Sequence, residues 1–141
     1  MSIPKITSYP MPTSYDVAES RAGWTVDPAR AVLLIHDMQK YFIRFFPRDE
    51  SPVVELVHNV GLLRRHCATL GVPVAYTAQP GGMSDEERGL LKDFWGPGMT
   101  VEPGHRDVVE PLAPEAGDLI LTKWRYSALH RTELLSFLRR T

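Results

Sequence analysis

The sequence predicts an α/β fold, with a parallel β-sheet and helices on both of its faces. Three apolar segments support this prediction: residues 31–37, 72–79 and 118–123. Continuous apolar runs of this length are typical of strands that are covered on both faces, and such strands are usually parallel. Helical patterns follow each run, so the chain alternates strand and helix three times.

The N-terminal residues 1–29 carry four prolines among polar residues, at positions 4, 10, 12 and 28. Proline fixes the backbone and removes a hydrogen-bond donor, so this segment is predicted to be an extended arm that lies on a domain formed by residues 30–141. After the first strand, residues 38–48 are rich in aromatic side chains, which are predicted to pack in the core or at its rim, with direct contact to a substrate as the alternative.

The helix after the first strand is predicted to begin at Ser51-Pro52, with serine as the cap and proline at the first helical position. Gly71 is predicted to end it. An apolar stripe recurs at three- and four-residue steps and places Cys67 as a buried thiol. The stripe consists of Val53, Val57, Val60, Arg64, Cys67 and Leu70.

Two further helices are predicted nearer the C-terminus. Ser84 and Glu87 have the spacing of a capping box, for a helix that runs through Phe94 and ends at Gly96-Pro97-Gly98. Residues 103–114 are predicted to be a loop with at most one helical turn, because prolines interrupt it. Thr132 is predicted to cap a last helix carrying Leu134, Leu135 and Leu138.

This order is typical of one half of a three-layer, Rossmann-like sheet with the strands arranged 3-2-1. The first strand then lies at an open edge, which is an aggregation hazard. We therefore expect a homo-oligomer or another partner to cover this edge.

The composition favours a small-molecule ligand. The chain has 141 residues with 16 basic and 17 acidic side chains, and it lacks the basic, aromatic-rich clusters that bind nucleic acid or anionic membranes. No apolar stretch is long enough for a membrane span. A single cysteine and the lack of a signal sequence at the N-terminus predict a cytoplasmic location.

Each apolar segment ends in a polar side chain: Asp37, Gln79 and Lys123. Ligands of open parallel sheets bind beyond the carboxyl ends of the strands, so these three side chains are expected to converge on one rim. Asp37 and Lys123 can serve there as catalytic groups or as a structural ion pair. Gln79 can bind a ligand or the backbone.

Two residues of the segment after Gln79 are further candidates. Arg88 can bind a carboxylate through two hydrogen bonds, or it can be a solvated helix residue. Trp95 can form the wall of an apolar pocket or pack in the core.

Several kinds of site are not supported. The sequence that follows the first strand contains no glycine-rich phosphate loop, which argues against nucleotide cofactors. The five histidines show no paired-ligand spacing, so no metal site is predicted.

The chain resembles the isochorismatase family along nearly its whole length. The matching blocks are Ile3-Pro4, residues 30–39 (RAVLLIHDMQ), 76–80 (YTAQP), 93–98 (DFWGPG) and 123–127 (KWRYS). The resemblance implies that Asp37 is the general acid, that Lys123 supports it, and that Gln79, Arg88 and Trp95 lie in the substrate pocket. It implies hydrolysis of the vinyl ether of isochorismate to pyruvate and 2,3-dihydro-2,3-dihydroxybenzoate, without a cofactor. Such enzymes serve siderophore synthesis, and close relatives act on 2-amino-2-deoxyisochorismate in phenazine pathways.

The resemblance stops before the family's later strands, including a segment similar to Gly-Val-Tyr-Ala-His that helps to close the pocket. We therefore expect the chain to hold only the first three strands of the domain. The alternatives are an inactive half-domain that serves as an interaction module, and a phosphoacceptor signalling domain. The latter is poorly supported, because the acidic pair that would hold magnesium after the first strand is absent.

Overall fold

A computed structural model describes residues 3–141. Its strands are β1 (Leu33–His36), β2 (Val74–Ala78) and β3 (Leu119–Thr122). Its α-helices are α1 (Lys40–Ile43), α2 (Val53–Leu70), α3 (Asp85–Arg88), α4 (Leu91–Trp95), α5 (Pro103–Arg106) and α6 (Leu134–Leu138). Short 3-10 helices span Pro28–Arg30 and Glu110–Leu112.

The three strands form one parallel sheet in the order β1-β2-β3, which confirms the predicted α/β fold and strand order. Three consecutive residues of β2, Ala75, Tyr76 and Thr77, are at most 1% exposed. Because successive side chains of a strand point to opposite faces, both faces of the central strand are covered. The flanking strands are less protected, since Leu34 and Ile120 remain exposed.

The core lies between the sheet and α2. Four buried side chains, Ile35, Met38, Tyr76 and Leu112, form one cluster, and partly buried residues of α2 such as Val57 pack against it. This packing holds the long crossover helix against the strands and leaves their carboxyl ends free to form a site.

The start of α2 differs from the prediction. Ser51 does not cap the helix, which begins at Val53 after Pro52 without a side-chain cap. Instead, the Ser51 hydroxyl accepts a hydrogen bond from the Met11 amide, and the Ser51 carbonyl accepts one from the Ser8 hydroxyl. A tertiary contact with the N-terminal segment therefore replaces the local cap.

The end of α2 agrees with the prediction, because Gly71 adopts the left-handed conformation (φ 69°) that glycine accepts without strain. The apolar stripe is less buried than predicted at this end. Leu70 is exposed and Cys67 is only half-buried.

The segment predicted as one helix after Ser84 consists of two, α3 and α4, separated at Gly89 (φ 52°). The predicted capping box is confirmed, with Ser84 and Glu87 bonded reciprocally. At α6 the residue before the helix is Glu133, although the Thr132 hydroxyl still accepts a hydrogen bond from the Leu134 amide. Leu134 is buried.

Residues 3–27 form neither helix nor strand. The first part contacts the domain through hydrogen bonds such as the one from the Ile6 amide to the Phe45 carbonyl (2.8 Å). Residues 1–2 of the predicted arm lie outside the described residues, and the boundary at residue 30 remains a prediction. None of the helices in residues 3–141 is long and apolar enough to cross a bilayer.

Candidate active site

A cavity of about 370 Å³ opens at the carboxyl ends of the strands. All five residues singled out from the sequence line it: Asp37, Gln79, Arg88, Trp95 and Lys123. The structure thus brings together side chains from three separate strand ends and from the two short helices α3 and α4.

Asp37 occupies the first position after β1 and has a left-handed backbone (φ 51°). Aspartate tolerates this conformation better than most residues, and here it turns the chain out of the strand. The amide of Asp37 donates to the Thr77 carbonyl (3.1 Å), which fixes the turn. Its carboxylate is largely buried, with 14% of the side chain exposed.

Lys123 follows β3, and its amide continues the ladder by donating to the Ala78 carbonyl (2.9 Å). The Lys123 Nζ lies 2.6 Å from Asp37 Oδ2, and only 6% of the lysine side chain is exposed. The other carboxylate oxygen, Oδ1, accepts a hydrogen bond from the Thr77 hydroxyl (2.7 Å). The Lys123 ammonium and the Thr77 hydroxyl therefore hold the Asp37 carboxylate in one orientation.

Gln79 is positioned by a residue that sequence reasoning missed. The fully buried Gln39 side chain accepts from the Gln79 amide (2.8 Å) and donates to the Gln79 carbonyl (2.9 Å) and the Arg106 carbonyl (2.6 Å). A side-chain amide that bonds both polar groups of one residue fixes its backbone. The Gln79 side chain is thereby directed to the cavity that it lines.

Arg88 is buried, at 4% exposure, so the interpretation as a solvated helix residue is wrong. Its Nε and Nη2 donate to the Gly96 carbonyl (3.2 and 2.9 Å). Gly98 adopts φ 80°, and a Cβ at Gly98 would lie 2.9 Å from the Arg88 Cζ. The guanidinium thus packs on a glycine that leaves room for it, and among the described residues its Nη1 has no hydrogen-bond partner.

Trp95 is 44% exposed, so core packing is wrong for this residue as well. Its indole Nε1 donates to the Tyr126 hydroxyl (2.7 Å), which joins α4 to the segment after β3 across one side of the cavity. Tyr41 and Phe42, from the aromatic segment after β1, line the cavity too. The wall therefore offers aromatic surface beside the charged groups.

The lining is positively charged. Lys123, Arg88 and Arg125 face a single carboxylate, Asp37, although the whole chain has a net charge of −1. Such a surplus in a partly desolvated cleft favours an anionic ligand. Across residues 3–141, no group of three His, Cys, Asp or Glu side chains is arranged to hold a metal ion.

The structure adds functional candidates that the sequence did not reveal, among them Gln39, Thr77 and Arg125. Thr77 lies in the apolar run that predicted β2, but its partner Asp37 is 40 residues away in the sequence, so no local pattern indicated the contact. For Gln39 no local signal exists, because its partners are 40 and 67 residues away in the sequence.

Comparison with known proteins places these features in a family. Residues 31–141 match the Isochorismatase domain. The chain is 56% identical over 137 residues to the phenazine biosynthesis protein PhzD1 of Pseudomonas aeruginosa, covering 97% of this chain and 65% of that protein. It is 51% identical over 140 residues to an isochorismatase of Bacillus subtilis, covering 99% of this chain and 45% of that protein.

A third relative is enterobactin synthase component B of Escherichia coli, 45% identical over 139 residues, covering 99% of this chain and 49% of that protein. The chain thus spans about half to two thirds of the length of these relatives.

Solved structures agree on the fold. A cysteine hydrolase of Pseudomonas syringae superposes with a TM-score of 0.73 at 23% identity, covering 88% of this chain and 60% of that one. The N-carbamoylsarcosine amidase of Thermoplasma acidophilum superposes with a TM-score of 0.63 at 26% identity, covering 77% of this chain and 60% of that one. On the matched domain and the high identity to PhzD1 and the Bacillus enzyme together, the chain belongs to the isochorismatase family.

Proposed function

We propose that this site hydrolyses the enolpyruvyl vinyl ether of isochorismate to pyruvate and 2,3-dihydro-2,3-dihydroxybenzoate. The observation that carries the proposal is the Asp37 carboxylate, buried at a cationic cavity and held by Lys123 at 2.6 Å. The isochorismatase of Bacillus subtilis supports the same reaction class.

The chemistry needs one positioned acid. Protonation of the methylene carbon of the vinyl ether is the difficult step, and a carboxyl group held in reach of that carbon lowers its barrier. We assign this role to Asp37. Water then attacks the resulting oxocarbenium carbon and its proton leaves to solvent, the hemiketal collapses to pyruvate and the ring hydroxyl, and Asp37 is left ionised.

The remaining residues bind the substrate in this proposal. Isochorismate carries two carboxylates, which match the surplus of positive charge formed by Lys123, Arg88 and Arg125. The Nη1 of Arg88 is available for one of them, since the rest of its guanidinium is bonded to the protein. Trp95 offers an aromatic face to the ring, and Gln79 offers its amide to a ring hydroxyl.

A second candidate substrate is 2-amino-2-deoxyisochorismate, favoured by the similarity to a phenazine biosynthesis protein. The two substrates differ in one ring substituent, so the discrimination depends on local hydrogen bonds. Comparing kcat/KM for both substrates with the same preparation decides between them.

The assay for the proposal couples pyruvate release from isochorismate to lactate dehydrogenase. We expect release above that of the Asp37→Ala variant, which cannot supply the acid. Equal rates for the two proteins would reject the catalytic proposal for this chain and favour an interaction module instead.

We also propose that a further strand or a second chain pairs with the outer edge of β1. Support comes from Leu34, which is exposed on a strand whose only described neighbour is β2. Light scattering tests this: a complex larger than one chain is expected, and a monodisperse, folded monomer would oppose it.

A further inference from the structure

Thr77 links His36 to Asp37 through its side chain. It lies fully buried on β2, directly opposite His36 in the register of the sheet. Its hydroxyl accepts from the Asp37 amide (3.1 Å), lies 2.9 Å from His36 Nδ1, and donates to Asp37 Oδ1 (2.7 Å). A hydroxyl has one hydrogen and two lone pairs, so these three contacts occupy every position it offers.

The direction of each hydrogen bond follows from the chemistry of the partners. The Asp37 amide can only donate, and an ionised carboxylate can only accept. The hydroxyl hydrogen therefore points to Asp37, and His36 must carry a hydrogen on Nδ1. The neutral imidazole then has its free lone pair on Nε2.

The two ends of this chain of bonds differ in exposure. The His36 side chain is 49% exposed, whereas that of Asp37 is 14% exposed and faces the cavity. Asp37 is paired with Lys123, yet vinyl-ether protonation requires a neutral carboxyl group. His36 lines the same cavity as Asp37, and its larger exposed fraction leaves a second route for a proton when a substrate covers the carboxylate.

We propose that His36 and Thr77 form a proton relay that loads Asp37. A solvent or buffer acid protonates Nε2 of His36, and Nδ1 passes its hydrogen to the Thr77 oxygen. Thr77 passes its own hydrogen to Asp37 Oδ1. Afterwards His36 is neutral with its hydrogen on Nε2. The Thr77 hydroxyl then donates to His36 Nδ1, and the protonated Asp37 carboxyl donates to the Thr77 oxygen.

The inference rests on the proposed function, and both residues act only through Asp37, as positioning residues. His36 was not among the residues that the sequence singled out for a role. Its place in the strand next to Asp37 gives the relay a solvent-accessible start. The buried Thr77 gives it a hydrogen-bonded path, whereas the direct separation of 3.8 Å between His36 Nε2 and Asp37 Oδ2 is too long for a hydrogen bond.

Three variants test the relay in the lactate dehydrogenase assay. His36→Asn keeps an N–H near the position of Nδ1 but cannot pass a proton, and Thr77→Val removes the hydroxyl at nearly constant shape. We expect each to lower kcat by roughly 10- to 100-fold, a part of what general acid catalysis supplies, with KM unchanged. Thr77→Ser retains the hydroxyl and is expected to keep kcat near that of the original chain. Added imidazole is expected to restore His36→Asn but not Thr77→Val.

A measurement without substrate separates the relay from the proposed function. The ¹⁵N chemical shifts of the His36 ring report its tautomer, and we expect Nδ1–H in the original chain and a shift toward Nε2–H in Thr77→Val. An Nε2–H tautomer in the original chain overturns the relay, as does an undiminished kcat in His36→Asn or an equal loss in Thr77→Ser and Thr77→Val. If the original chain releases no pyruvate, the proposed function fails, and the tautomer alone decides the hydrogen-bond order.

Discussion

Strand β3 is bracketed by two buried ion pairs that differ in what surrounds them. At its start, Asp118 binds Arg64 of α2 (2.8 Å), and at its end Lys123 binds Asp37 (2.6 Å). The four side chains are 6 to 14% exposed. The distances and burial are similar, yet one pair is enclosed by protein and the other opens to a cavity.

The enclosed pair has its hydrogen bonds completed by neighbours. Arg64 also donates to the Tyr76 hydroxyl (2.6 Å), which donates to the Leu112 carbonyl (2.9 Å), and Asp118 accepts from the Glu115 amide (2.7 Å). Burial works against the charged guanidinium, but the hydrogen bond to Asp118 and the charges of Tyr76, Asp118 and Glu115 together outweigh it and raise the pKa of Arg64. This pair ties α2 to the sheet.

The pair at the other end leaves bonding capacity unused. Among the described residues, the ammonium of Lys123 donates only to Asp37, although it has three hydrogens. A buried pair that retains unused donors beside a cavity is suited to bind and react, whereas a completed pair is suited to hold the fold. Four changes test this difference.

The largest effect is expected from Asp37→Asn. The amide has nearly the same shape but cannot protonate carbon, so we expect kcat to fall by about 10²- to 10⁴-fold. The melting temperature should change little, because water in the cavity can solvate Lys123. Pyruvate release and thermal unfolding of the same preparation measure both. A variant with full activity would place the acid elsewhere.

The matched change at the other pair is Asp118→Asn. Here we expect a loss of stability and an unchanged kcat. Removing the Asp118 charge leaves Arg64 with the mostly exposed Glu115 carboxylate, 3.3 Å away, as its charged partner, which costs about 1–3 kcal/mol of the free energy of unfolding. The kcat of the folded fraction should remain that of the original chain. Denaturant unfolding followed by the coupled assay checks this. Lost activity with unchanged stability would abolish the distinction between the two pairs.

Gly98→Ala tests whether Arg88, which lines the cavity beside the Asp37–Lys123 pair, binds the substrate. A methyl group at this left-handed position would lie 2.9 Å from the guanidinium and displace it. We expect KM for isochorismate to rise about tenfold, the equivalent of one lost charged hydrogen bond, with a smaller change in kcat. Gly104→Ala is the control, because a Cβ there meets no heavy atom within 4 Å. Equal KM values for both variants would remove Arg88 from substrate binding.

The smallest effect concerns Tyr76, whose pKa is raised by burial, although the nearby Arg64 lowers it in part. Because the folded-state pKa lies above the unfolded value, the tyrosine contributes stability below about pH 10 and loses it as the pH rises further. Tyr76→Phe should lower the free energy of unfolding by about 1–2 kcal/mol at neutral pH. The difference from the original chain should shrink in alkali.

Denaturant unfolding at neutral pH and at a pH above about 10 measures the difference between Tyr76→Phe and the original chain. The fully exposed Tyr15 offers a control, since Tyr15→Phe should leave the free energy of unfolding unchanged at either pH. A Tyr76→Phe difference that grows with pH would contradict the sign of the pKa shift.

The strand ends were predictable from the sequence because the length of the continuous apolar runs and the parallel topology together decide where Asp37, Gln79 and Lys123 lie. The contacts that hold them were not predictable. Gln39 and Thr77 act through partners about 40 residues away, and local patterns carry no information on such pairs.

The starts of the helices were likewise predictable only where the capping contacts are local in the sequence. The capping box at Ser84 is entirely local and was predicted, whereas Ser51 is occupied by Met11 of the N-terminal segment and does not cap α2. Gly89 interrupts a helix that the apolar spacing predicted as continuous, because its φ of 52° does not fit a helix.

The most direct test of Asp37 as the acid is single-turnover pyruvate release from isochorismate in H₂O and in D₂O. If Asp37 transfers its proton to carbon in the slowest step, release is slower in D₂O, and Asp118→Asn shows the same isotope effect as the original chain. Equal rates in the two solvents would contradict protonation of the carbon as the slowest step, on which the role of Asp37 rests.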